Sequence, residues 1–377
     1  MASINYMTAI EFDCGAISLL PQALQDAAIR RPMVVTDQGI IRAGILAQIR
    51  PYLPTDDQMV LYAGTPPNPT EQAVEAATEI YKEGQCDGLI AIGGGSSIDL
   101  AKAVALLATH AGPLEQYATI LGGQPKIGPQ AAPLIAVPTT AGTGSEVGRG
   151  TLICLRDGRK LVFASKHLLP VLAICDPDLT VGMPGVLTAG TGMDAFTHCI
   201  ETFLSPKLNP TAEAIALDGA GRAWRWIERA VTHPEDRSAR REMMLASIHG
   251  GLAFQKGLGA VHSLSHPLGA LLTPVLHHGT VNAVILPTVL RYNRHHVGDK
   301  YAQLVHTFGL PAGTDLPNAV WELTRRLDMP ANLGEMQVQA TVVDRIVEGA
   351  LADHSTPTNP RSLTRQDLAM LFMEALG

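Results

Sequence analysis

Carboxylate and imidazole side chains recur at helical spacing in the second half of the chain. Asp194 and His198 stand four residues apart in GMDAFTHCIE (192–201), so on a helix both leave the same face. His262 and His266 repeat that spacing in GLGAVHSLSHPLGA (257–270). HHGTVNAVILP (277–287) adds His277 and His278 ahead of another helical pattern. One carboxylate with three imidazoles is a reasonable inner shell for a divalent ion such as iron(II) or zinc(II). Beside a nicotinamide, such an ion lowers the pKa of an alcohol oxygen while hydride leaves, and in reverse polarises an aldehyde. His266, one turn past His262, is placed to relay the proton outward.

The first half carries groups suited to a dinucleotide. Gly93-Gly94-Gly95-Ser96-Ser97 follows the apolar run Leu89–Ile92 and opens a helical pattern containing Asp99 and Lys102. Glycines admit a diphosphate close to the backbone, the helix dipole favours it, and Ser96 or Ser97 is expected to cap the helix. The loop is neither GxGxxG nor GxxxxGK[ST]. Pro138-Thr139-Thr140-Ala141-Gly142-Thr143-Gly144-Ser145-Glu146 closes a second apolar run and is expected to complete the same anion site. Asp37, after Met33–Thr36, is placed to accept from an adenosine ribose and to repel a 2′-phosphate, favouring NAD over NADP.

These groups need elements to hold them. Strands are expected at 33–36, 89–92 and 134–137, a helix over 70–83, and a β-hairpin around Arg156-Asp157-Gly158-Arg159. Strand and helix alternation implies a parallel sheet core. From Leu187 onward helical patterns dominate. The expected domains are therefore 1–184, α/β and Rossmann-like, and 185–377, all-helical.

The 377 residues carry a formal charge of −7, with 46% hydrophobic and 17% charged residues, which argues against disorder and against a general nucleic-acid binder. No basic n-region with an apolar run opens the chain, and the longest uncharged stretch, 127–145, is broken by prolines, so neither leader nor membrane span is expected. Five scattered cysteines suit reduced thiols in the cytoplasm.

With GGGSSIDLAKA (93–103) and PTTAGTGSE (138–146), the three histidine motifs make the chain resemble the iron-containing (group III) alcohol dehydrogenases over its full length. The resemblance implies a dehydroquinate-synthase-like pair of domains with nucleotide, metal and substrate in the cleft between them, and a homodimer. It implies Asp194, His198, His262 and His278 as metal ligands, and it alone favours iron(II) over zinc(II) there. Gly94, Gly95, Ser96, Asp99, Thr139, Thr140, Ser145 and Lys160 would surround the dinucleotide, and Phe254 would line the substrate pocket.

The chain also departs from the family pattern. The interval from His262 to the last ligand is 16 residues if that ligand is His278, against the common 14, and Leu276-His277 replaces a simple proline approach. His277 therefore stays an alternative, and the Leu271–Leu276 loop is longer. Phe254-Gln255-Lys256-Gly257 is one residue shorter than usual. The main expectation is an NAD-dependent dehydrogenase of small primary alcohols and aldehydes. Lys256 and Arg149, if they face the cleft, favour instead a short hydroxy acid or semialdehyde such as 4-hydroxybutyrate. A maleylacetate-reductase-like enzyme is a further alternative.

Overall fold

The computed structural model describes residues 4, 6, 8–271 and 273–377. Met1 to Ser3, Asn5 and Met7 of the opening stretch, and Leu272 of the Leu271–Leu276 loop, lie outside the described residues. Two compact units emerge: an α/β unit of Tyr6–Thr140 with Ser145–Thr180, and a helical unit of Val181–Gly377 that also takes in Ala141–Gly144.

In the α/β unit, β1 (Ile10–Phe12), β2 (Pro32–Val35), β3 (Val60–Tyr62), β4 (Gly88–Gly93), β5 (Leu134–Pro138) and β8 (Leu172–Cys175) form one sheet. Its order is β1-β8-β5-β4-β2-β3, and every pairing is parallel. β6 (Gly150–Cys154) and β7 (Lys160–Ala164) form a separate antiparallel hairpin. β2, β4 and β5 are buried at every position, which explains their unbroken apolar runs in place of alternation. Met33, Val35, Leu89 and Ala91 serve one face of the sheet, and Val34, Ile90 and Ile92 the other.

Helices α1 (Leu20–Asp26), α2 (Gln38–Arg42), α3 (Ile45–Ile49), α4 (Glu71–Glu83) and α5 (Gly95–Leu107) complete the unit. α4 and α5 pack through Val74, Ala77, Ile98 and Ala101 on the Met33 face. α1 packs through Leu20 and Leu24 on the other. Because β4 lies between β5 and β2, the carboxyl ends of three parallel strands stand side by side. Asp37, the glycine loop and Thr139-Thr140 all follow those ends, where open α/β sheets bind ligands.

The helical unit contains α6 (Gly185–Leu204), α7 (Pro210–Thr232), α8 (Arg237–Ala253), α9 (Ala260–Leu268), α10 (His278–Asn293), α11 (Lys300–Thr307), α12 (Leu316–Arg326), α13 (Val343–Leu351) and α14 (Arg365–Leu376). Side-chain caps start several of them: Asn209 on α7, Asp236 on α8, and a Thr364/Asp367 capping box on α14. α6 is buried throughout Thr188–Leu204, with α7, α8 and α10 packed around it. A Cβ on Gly279 would come within 2.1 Å of the Gly190 carbonyl oxygen, so only glycine lets α10 begin against α6. That approach sets His278 beside Asp194. Among the described residues, no helix is long and apolar enough to cross a membrane.

Candidate metal centre and dinucleotide loops

Three helices deliver four donor atoms to one buried point. Asp194 Oδ1 lies 3.6 Å from His198 Nε2, 3.8 Å from His262 Nε2 and 3.7 Å from His278 Nε2. Four donors held at about 2.1 Å in a tetrahedron sit roughly 3.4 Å apart, so the spacing fits a divalent ion with little adjustment. Asp194, His198 and His262 are buried, and His278 is partly exposed.

The surroundings fix how these groups present themselves. His262 Nδ1 lies 2.7 Å from a Glu201 carboxylate oxygen, and His198 Nδ1 lies 3.3 Å from the Gly142 carbonyl. An acceptor at Nδ1 places that proton there and turns the Nε2 lone pair inward. Burial pushes the Asp194 carboxyl up, but His198, His278 and His262 outweigh it and hold it far below the usual carboxylate range. Burial drives His198 down to about 4 against the pull of Asp194. Burial also opposes the charged form of His262, yet the carboxylates of Asp194 and Glu201 raise it to about 9.

Glu201 and Asn282 are absent from the sequence-derived set. Glu201 follows His198 by three residues and Asp194 by seven, a same-face signal that could have found it. Asn282, one turn after His278, donates through Nδ2 to Asp194 Oδ1 at 2.8 Å and lies 3.2 Å from both His262 Nε2 and His278 Nε2.

His277 and His278 separate clearly. His277 is the N-cap of α10, where its Nδ1 accepts from the Thr280 backbone N–H at 3.4 Å, and it lies outside the four-donor group. His266 stands next to that group, with its ring 5.6 Å from those of His262 and His278. Its Nδ1 lies 2.8 Å from Asp353 Oδ2. Phe254 meets His198 edge to face at 4.5 Å.

Lys256 requires a correction. Its side chain is fully buried, and Nζ donates to the carbonyls of Thr202, Phe203 and Ser205 and pairs with Glu213 at 3.0 Å. Those carbonyls end α6 and lack partners within the helix, so the lysine is a structural clamp, not a pocket lining. Arg149 is exposed, and its carbonyl closes the β6–β7 hairpin by accepting from the Ser165 N–H.

In the α/β unit neither Ser96 nor Ser97 caps α5, against expectation. The N-cap is Gly94 without a side-chain bond, and Ser97 Oγ turns instead to Asp37 Oδ2 at 3.4 Å. The first backbone N–H groups of a 13-residue helix are thus not taken by a serine cap. A Cβ on Gly94 would lie 3.2 Å from Thr140 Oγ1, in the approach to that end. The buried Thr139 hydroxyl has no partner there. These features fit a diphosphate. Asp37 caps α2 through Oδ1, which accepts from Gly39 and Ile40, while Oδ2 stays on the glycine-loop side.

Asp99 and Ser145 brace this arrangement from behind. Ser145 Oγ donates to Asp99 Oδ1 at 2.6 Å, and the Leu152 N–H donates to Oδ2. Buried Lys102 donates to the carbonyls of Ser145, Gly148 and Gly150. Lys160 donates to Asn68 at 2.9 Å. Gly95 and Ser96 lie in the first turn of α5.

Comparison with known proteins follows the same division. The sequence model of iron-containing alcohol dehydrogenases matches residues 8–177, and that of the C-terminal part of the Fe-containing alcohol dehydrogenase family matches 188–376. The chain is 52% identical to a 4-hydroxybutyrate dehydrogenase of Cupriavidus necator, with 100% of each chain covered. It is 33% identical to a 1,3-propanediol dehydrogenase of Klebsiella pneumoniae, covering 97% of this chain and 96% of that one. A crystal structure of a 1,3-propanediol oxidoreductase superposes with a TM-score of 0.91 at 33% identity, with 100% of each chain covered.

Proposed function

The chain belongs to the iron-containing alcohol dehydrogenase family, and from that premise we propose that it oxidises 4-hydroxybutyrate, or a similarly short ω-hydroxy acid, to its semialdehyde with NAD. The observation that carries this reading is the 52% identity over both full lengths to a 4-hydroxybutyrate dehydrogenase, against 33% to a 1,3-propanediol dehydrogenase. A preference for neutral primary alcohols, the main expectation from sequence, becomes the lesser reading.

Asp194, His198, His262 and His278 would hold the divalent ion. When bound, it supplies a Lewis acid that lowers the pKa of an alcohol oxygen. Glu201 and the Gly142 carbonyl keep two of the imidazoles facing inward. The amino end of α5, Thr139 and Thr140 would cradle the diphosphate, and Asp37 would accept from the ribose and disfavour a 2′-phosphate. A bound nicotinamide would supply the hydride acceptor for the carbinol carbon. The hydroxyl proton passes to His266 Nε2, while Asp353 holds the opposite ring nitrogen.

The test is anaerobic NAD reduction by protein loaded separately with Fe(II) and Zn(II), offered 4-hydroxybutyrate, 1-propanol and 1-butanol. Faster turnover of the acid supports the reading, and faster turnover of the neutral alcohols restores the lesser one.

A further inference from the structure

A second group of metal donors stands in the helical unit, apart from the first four. His266, Asp353 and His354 each bring a ligand atom within 4.8 Å of the other two. Asp353 is the centre of the group. Its Oδ2 meets His266 Nδ1 at 2.8 Å, and its Oδ1 lies 3.5 Å from His354 Nδ1. The Ser355 N–H donates to Oδ1 at 2.8 Å and fixes the carboxylate in place. An ionised carboxylate offers about four lone-pair sites, so both oxygens keep room for a further partner. Burial opposes its charge, but His266 and His354 outweigh it and hold Asp353 far below the usual carboxylate range.

Two imidazoles and one carboxylate are a donor set that zinc(II) takes, with a water in the fourth position. The opening for that water is on the His354 side. His354 is half-exposed just beyond α13, whereas His266 and Asp353 are nearly buried. Its ring stacks on that of His266 at 5.6 Å and 15°. Donors about 2.1 Å from one ion lie at most about 4.2 Å apart, so His354 has to close on the other two, and its place at the surface allows that.

We propose that His266, Asp353 and His354 form an outer zinc(II) site, and that filling it switches the enzyme off. The switch rests on the reading that His266 Nε2 accepts the hydroxyl proton. A neutral imidazole carries one proton, and the Asp353 carboxylate keeps it on Nδ1, which leaves the Nε2 lone pair free. Zinc entering the site exchanges bound waters for the three side chains and takes the Nδ1 lone pair. The imidazole proton then moves to Nε2, so that atom becomes a donor and no longer accepts from an alcohol. One ion at the inner site serves turnover, and a second at the outer site stops it.

The binding test is equilibrium dialysis of enzyme already holding one zinc per chain against rising free zinc(II), with bound metal counted by atomic emission. The wild type is expected to take up one further zinc per chain. His354→Ala, and His354→Phe with its ring kept against His266, are expected to weaken that uptake by about tenfold or more. Both should retain the first zinc, which reports an intact fold. In parallel, Fe(II)-loaded wild type is expected to lose turnover as the further zinc binds, with its iron content unchanged, while the two variants keep theirs. No further zinc in the wild type, or equal uptake by the variants, overturns the site. Uptake that the variants lose, without loss of turnover in the wild type, overturns the switch together with the reading of His266 Nε2 as proton acceptor.

Discussion

A Glu201 carboxylate oxygen lies 2.7 Å from His262 Nδ1, while the other oxygen accepts from the Val261 N–H at the start of α9. One side chain of α6 thus fixes both the tautomer of a candidate ligand and the position of the helix that carries it. Glu201→Gln keeps the shape but removes the charge. Metal affinity, read by titration against a chelator, is expected to fall roughly 10- to 100-fold. Unchanged affinity would show that His262 does not depend on Glu201.

The adjacent histidines before α10 give opposite expectations. His278→Ala removes one of the four donors and is expected to abolish stoichiometric metal binding. His277→Ala removes an N-cap, so metal content should hold while stability falls by about 1 kcal/mol. Metal analysis and denaturant unfolding of both variants check this pair.

Lys256 provides a test of a structural clamp. Lys256→Met leaves Glu213 paired with Lys300 and removes the lysine donor from the Thr202 and Ser205 carbonyls, while the Phe203 carbonyl keeps Lys300. A loss of about 3 kcal/mol is expected, with substrate KM unchanged in the folded enzyme. A raised KM for the acid at unchanged stability would return Lys256 to the pocket.

For the dinucleotide, Gly94→Ala adds a methyl group 3.2 Å from Thr140 Oγ1 at the opening of α5. KM for NAD is expected to rise about tenfold, equivalent to about 1.4 kcal/mol, with metal binding intact. An unaltered NAD KM would move the diphosphate away from this loop.

Buried Glu146 sets a pH dependence of folding. Burial raises its carboxyl to about 7, against the smaller opposing effects of its own backbone N–H and Lys102. The folded value lies above the unfolded one, so the native state holds this proton longer. The contribution to stability is then full in acid and is lost as pH rises from the ordinary carboxylate range through about 7. Glu146→Gln is expected to remove that decline, seen as a smaller fall in urea midpoint between pH 5 and pH 8.

Much of this was legible in the sequence because the signals were long or chemically rare. β2, β4 and β5 are buried on both faces and read as apolar runs, and α6, α7 and α10 have the periodicity of long helices. β1 and β3 are three-residue strands, and β8 has only four, so their existence depends on neighbours that periodicity does not reveal. Asp194, His198, His262 and His278 were visible as donors. Lys256 was misread because a lysine near a ligand motif looks the same whether it faces substrate or helix-end carbonyls. Asp353 and His354 lie far along the chain from the histidine motifs, and only the packing of α13 on α9 brings them to His266.

The most direct measurement is the ratio of kcat/KM for 4-hydroxybutyrate to that for 1-butanol, with NAD, on anaerobically Fe(II)-loaded protein before and after chelation. A ratio well above one, with both activities lost on chelation and restored by metal, is the predicted result. A ratio below one, or turnover that survives metal removal, would contradict the account.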